Sequence, residues 1–159
     1  MSFGMNFAIP LHVLSVVVWV GGMFFAHMIL RPTAVDTLEP PLRLRLWAGV
    51  FGRFFPWVWI SILLILASGF WMIFGVYGGM GGLALHVHLM FGMGLTMMLV
   101  FCYIYFVPYA ALRKAVAAED WPAGGQALAG IRRLVTFNLV LGILTVIVST
   151  GGVYWSLPM

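Results

Sequence analysis

Four histidines, His12, His27, His86 and His88, stand in a sequence whose long apolar stretches offer little other chemistry. Residues 1–30, 54–112 and 134–159 contain no Asp, Glu, Lys or Arg. Imidazole is therefore the strongest base and the best metal donor in the first two of them, which hold all four histidines. If such stretches cross a membrane, an ionisable side chain within them is costly and becomes a functional candidate. His12 and the His86/His88 pair lie at matching depths, about 8–9 Å from the start of their segments at ~1.5 Å per residue. Two imidazoles at one level suit the axial positions of a haem iron or a mononuclear metal site. A regular helix turns by about 200° over two residues, so His86 and His88 cannot both face one ligand. His86 stands where His12 stands in a repeated Leu-His-Val, and His88 has the small Gly92 one turn below it; the choice stays open. His27 lies about 22 Å beyond His12 along the same helix. It suits a second site with a non-histidine ligand, a hydrogen bond to a quinone or propionate, or a structural role at the membrane edge.

Sulfur offers a second chemistry. The chain has 11 methionines in 159 residues, and His86, Met90, Met93 and Met97 follow the spacing of a single helical stripe. His12, Trp19, Met23 and His27 share a face in the same way. Imidazole with thioether suits Cu(I), although methionine also fills irregular gaps between helices. Cys102 is the single cysteine; it cannot close an internal disulfide and reads as a small apolar residue. No phosphate loop, hydrolase triad or zinc-ligand spacing is present.

The elements that must carry these residues follow from composition. The chain is 64% hydrophobic and 8% charged, against about 45–50% and about 25% for a soluble domain, which excludes a water-soluble globular fold. The net charge of +4 arises from only eight Lys and Arg, all within residues 31–53 and 113–133, so a nucleic-acid partner is not implied. A span needs ~20 apolar residues. We read one integral membrane domain over 1–159, an all-α bundle of four transmembrane helices at about 6–30, 54–75, 83–108 and 133–156. The glycines between Gly75 and Gly82 mark the break between the second and third. Segments 31–53 and 109–132 read as charged loops, the first with a short interfacial helix starting at Pro40-Pro41, the second with Asp120-Trp121-Pro122 capping the fourth helix. The one-sided basic residues place both loops in the cytoplasm and both termini outside. Trp47, Phe54, Phe55, Trp57, Trp59, Tyr103, Tyr105, Tyr109, Tyr154 and Trp155 read as an interfacial aromatic belt. The repeated Leu-His-Val, with Ala67-Ser68-Gly69 and Ser149-Thr150-Gly151, suggests two pseudo-repeated helix pairs.

Leu11-His12-Val13, Val18-Trp19-Val20-Gly21-Gly22-Met23-Phe24-Phe25 and Leu30-Arg31-Pro32 resemble the first helix of CopD-type (copper resistance protein D) membrane domains. Phe54-Phe55-Pro56-Trp57, Ala67-Ser68-Gly69 and Leu85-His86-Val87-His88-Leu89 extend the resemblance over nearly the whole chain. The same superfamily holds the HemJ-type protoporphyrinogen oxidases, four-helix membrane proteins associated with b-type haem. Their Leu-His start resembles Leu11-His12, and their Leu-His-Ala-Lys resembles Leu85-His86-Val87-His88, with His88 in place of the lysine. The resemblance implies haem b bound by His12 and by His86 or His88.

The resulting expectation is a b-type haem protein of the bacterial cytoplasmic (inner) membrane. It would move electrons between a quinone and a redox partner, and a homo-oligomer is compatible with it. The alternative is copper import or copper handling, with Met90, Met93 and Met97 joining the histidines. A further alternative is the protoporphyrinogen oxidase reaction.

Overall fold

In lipid every backbone N–H and C=O must be satisfied internally, and a helix does so within one segment. The computed structural model describes residues 4–154, and among them it contains helices and no strands. Four helices are long and apolar enough to cross a membrane: α1 (Met5–Thr37), α2 (Pro40–Val76), α3 (Leu85–Ala117) and α4 (Trp121–Tyr154). The expected all-helical, four-span architecture is therefore the observed one. The end of the fourth span, read at residue 156, and Trp155 lie outside the described residues.

The two charged segments are not loops. α1 passes through a π-helical stretch at Ala26–Leu30 and continues as α-helix over Arg31–Thr37. Only Leu38 and Glu39 separate it from α2, whose first turn takes Pro40 and Pro41 and then runs unbroken into the span. The interfacial helix expected there is the beginning of α2 itself. α3 breaks at Val107, ahead of Pro108, and resumes over Pro108–Ala117. Ala118, Glu119 and Asp120 then turn the chain into α4. The physical reason is length. Rods of 33 to 37 residues measure about 50 Å at ~1.5 Å per residue, against a hydrocarbon core of ~30 Å. The helices overrun the membrane at their arginine-bearing ends, where charged residues do not oppose helix.

The turns obey local chemistry. Asp120 caps α4 as expected, its Oδ1 accepting from the Ala123 N–H at 3.1 Å. Glu119 takes the left-handed conformation (φ 54°) and receives Arg45 of α2 at 2.6 Å. Both side chains are exposed, so the pair adds little stability. At the opposite end Gly78 (φ 73°) and Gly79 (φ 118°) make the turn between α2 and α3, conformations that only glycine adopts without cost.

α1 packs along α2, and α3 along α4, with α4 also meeting α1 and α2. Large apolar side chains such as Leu14, Leu63, Leu99 and Ile147 point outward, as a lipid-facing surface requires. The interior is aromatic toward the arginine-bearing end. Phe51 stacks on Phe55 with centroids 5.0 Å apart, and Phe55 meets Tyr109 edge-on at 4.8 Å and Phe101 at 5.3 Å. Trp59 closes against Phe101 and Tyr105. Trp47, Phe55 and Tyr109 are thus buried core, not members of an interfacial belt; Trp57, Tyr103 and Tyr154 do face outward. Ring pairs of this kind add about 0.5–1.5 kcal/mol each beyond area burial, and here they weld α2 to α3. Within the bundle Asn138 of α4 is 1% exposed. Its Nδ2 donates to the Met97 carbonyl at 3.0 Å, tying α4 to α3, while its Oδ1 has no partner among the described residues.

Candidate functional site

Away from the aromatic cluster, toward the glycine turn, the four helices diverge around a cavity of about 470 Å3. His12 reaches it from α1, and His86, Met90, Met97 and Met98 from α3, while Met72 comes from the π-helical end of α2. Thr145 and Ser149 of α4 are on its wall, and the Thr145 hydroxyl is spent on the Leu141 carbonyl. Such hydroxyl back-bonding is how polar side chains are accommodated in an apolar helix. The cavity is therefore an apolar chamber with two imidazoles and several thioethers.

His12 has a polar partner on the neighbouring helix. Its Nδ1 lies 2.9 Å from the Ser68 hydroxyl oxygen on α2. Ser68 has one hydroxyl proton, and it donates that proton to the Leu64 carbonyl one turn back. With its proton on that carbonyl the oxygen accepts from His12, the arrangement in which Nδ1 carries the ring proton and Nε2 keeps its lone pair for a ligand. A ligating histidine is typically prepared in this way, its second nitrogen donating to an outer partner that fixes the tautomer. Gly69 supports the arrangement, since a Cβ there would stand 3.5 Å from the His12 ring.

His86 is held differently. Its Cβ and ring root lie directly against Gly152 of α4, where any added Cβ would overlap them. Among the described residues the ring makes no hydrogen bond, so both nitrogens are free to serve a ligand. His12 beside Gly69 and His86 beside Gly152 hold corresponding places in the two helix pairs.

His12, His86, Met90 and Met97 are brought to one chamber. His88 is not: it is exposed, with Nδ1 3.4 Å from the Ala84 carbonyl one turn back, and is absent from the cavity wall. Met93 is absent from it too. His27 lies toward the other end of α1, in a cleft with Arg31 and Arg132, and its Nδ1 is 3.5 Å from the Thr136 hydroxyl. Sequence reasoning took Ser68 only as part of a repeat and missed Met72, Met98, Gly152 and Asn138. A serine or asparagine alone in an apolar helix is the signal that could have found two of them. The methionines and the glycine carry no such mark.

Among the described residues no three His, Cys, Asp or Glu side chains come together as a metal site. The metal donors that reach the chamber are two imidazoles and the methionine sulfurs, a set that suits a soft ion. Ser68→Ala is expected to weaken metal binding at His12 by about tenfold, toward the lower end of what losing an outer partner costs. A competition titration checks this, and unchanged affinity would remove His12 from the ligand set.

Residues 48–151, about two thirds of the chain, match a protein-family model described as copper resistance protein D. No curated protein and no solved structure matches the chain. The matched stretch includes His86, Met90 and Met97 but begins after His12, so the place of His12 beside the chamber rests on geometry.

Proposed function

The chain belongs to the copper resistance protein D family, and from that premise we propose that this multi-pass membrane protein handles Cu(I), taking the ion as cargo into the chamber between its helices. His12 Nε2 and His86 supply the nitrogen donors, and Met90 and Met97 supply sulfur. The observation that carries the reading is the donor set on the chamber wall: two histidines with thioethers, and among the described residues no carboxylate or thiol cluster to favour a harder or more tightly held ion. Cargo must also leave, and a site of few soft ligands binds weakly enough to release it. Trp19, Met97 and Met98 line the chamber and are buried, and His27 is not among its lining residues. The one-sided basic residues support a topology with the arginine-bearing end in the cytoplasm of a bacterial inner membrane and the chamber toward the outer face.

One observation favours a second reading. A cavity of about 470 Å3 is larger than a bare ion needs and lies in the range, about 300–1,000 Å3, that holds organic ligands. His12 and His86, on different helices, are the residues that would hold haem b. That group would supply one-electron chemistry tuned by two axial imidazoles, for exchange with a quinone. The protoporphyrinogen oxidase reaction gains no separate support, because His88, at the lysine position of that family, faces away from the chamber.

The deciding experiment uses protein purified in detergent. Titration with Cu(I) against a chromophoric chelator should show one saturable site per chain, and the visible spectrum should lack a Soret band. A Soret band with sharp reduced α and β bands, and no Cu(I) uptake, would replace copper with haem.

A further inference from the structure

Asn138 is absent from the chamber wall, yet it holds a residue that is part of it. This side chain of α4 is 1% exposed, and its Nδ2 donates to the Met97 carbonyl of α3 at 3.0 Å. Met97 lies within a regular stretch of α3, where its carbonyl already has a place in the helix's own hydrogen-bond ladder. The amide is therefore a second donor, not one that the backbone requires. Its oxygen has no donor among the described residues, and a buried acceptor left unmade costs stability. An apolar side chain would avoid that cost, so packing alone does not account for an asparagine here.

One turn along the same face of α4, Gly142 completes the contact. A Cβ at Gly142 would stand 3.2 Å from the Met97 methyl carbon and 2.9 Å from Val20 of α1. The absent side chain gives the Met97 thioether its room. Met97 is thus met by α4 at two points one turn apart, its backbone by Asn138 and its methyl end by Gly142, and it lines the chamber.

We propose that Asn138 is a positioning residue for the Met97 sulfur. It fixes α3 against α4 at this level, so that the thioether meets a soft ion without first having to be ordered. Methionine has three rotatable side-chain bonds, and a ligand group already held in place spares binding the entropy of ordering it. The consequence for affinity rests on the copper reading above; the geometry does not.

The test uses the intact detergent-solubilised protein with methyl-labelled methionine, followed by NMR. Asn138→Leu keeps the branching of the side chain and removes its donor. In metal-free protein it should shift or split the Met97 methyl signal, identified by its loss in Met97→Leu, and leave that of Met72 on α2 in place. Cu(I) affinity is then titrated in the parent, in each single variant and in the double variant. Asn138→Leu should cost about tenfold where Met97 is present, as loss of a ligand's outer partner does, and nothing further where leucine replaces it. Its thermal midpoint should not fall, because the unpaired oxygen leaves with the donor. Should leucine overfill the site, Asn138→Ala removes the same donor and should give the same methyl shift and the same pattern of affinities. A Met97 signal that stays in place overturns the proposal. So do equal losses of affinity in both backgrounds, which would make Asn138 a general support of the fold. A parent that binds no Cu(I) while its Met97 signal still responds would retire the copper reading and leave Asn138 as the residue that positions Met97.

Discussion

His12→Ala and His86→Ala each abolish measurable Cu(I) binding at micromolar protein, while His88→Ala binds as the wild type does; this is the largest effect the structure leads us to expect. The argument rests on donor arithmetic. The chamber offers two imidazoles and a few thioethers, so deleting either imidazole halves the nitrogen donors. Loss of a mere outer partner costs about 10–100-fold in metal affinity, and loss of a direct ligand must cost more. His88 is two residues from His86 yet exposed on the other side of its helix, which makes it an internal control for expression, charge and local helicity. Both sensitive residues line a cavity, so their truncation leaves no new void in the close-packed core, and thermal midpoints should stay close to the parent. Equal binding by all three variants would put the metal elsewhere. If the protein instead carries haem, the same two variants lose or convert the low-spin spectrum, and His88→Ala again does not.

The second large effect separates the two ligands. Met90→Leu with Met97→Leu removes two sulfurs from the chamber at nearly constant volume, a change that cores usually tolerate at under about 1.5 kcal/mol. Copper binding should fall at least about tenfold, because leucine offers a soft ion nothing. A haem held between two imidazoles would keep its spectrum. Met93→Leu, one turn away but off the wall, should do neither. The Asn138 bond to the Met97 backbone carbonyl does not depend on the side chain at 97, so the helix contact survives the exchange. A double variant that folds normally and binds Cu(I) undiminished would defeat the copper reading.

The spans, the glycine turn and the Asp120 cap were legible because each is a local pattern: apolar length, φ freedom and an oxygen placed to accept a backbone N–H. What misled was treating charge as a boundary. Arg31, Arg43 and Arg132 lie in helices that outlast the bilayer, and nothing local to those residues says so. The choice between His86 and His88 was undecidable for a related reason. Both fit a helix, and which one faces inward is set by rotation about the axis, which Gly152 fixes from 66 positions away in the chain. The tautomer of His12 likewise depends on Ser68 of another helix. Aromatic residues near the membrane edge looked like anchors because belt and core draw on the same residue types. Only the convergence of α2 and α3 shows that Trp47, Phe55 and Tyr109 belong to the core.

The ring cluster has a mechanical consequence. Interlocked rings from Trp47 to Tyr109 fill one end of the bundle, whereas the other end holds a cavity of about 470 Å3. The molecule is stiff at one end and compliant at the other, like a clothes-peg whose spring sits behind the jaws. A ligand entering the chamber is expected to be accommodated at the ends that flank the glycine turn, with the ring-filled end keeping its packing.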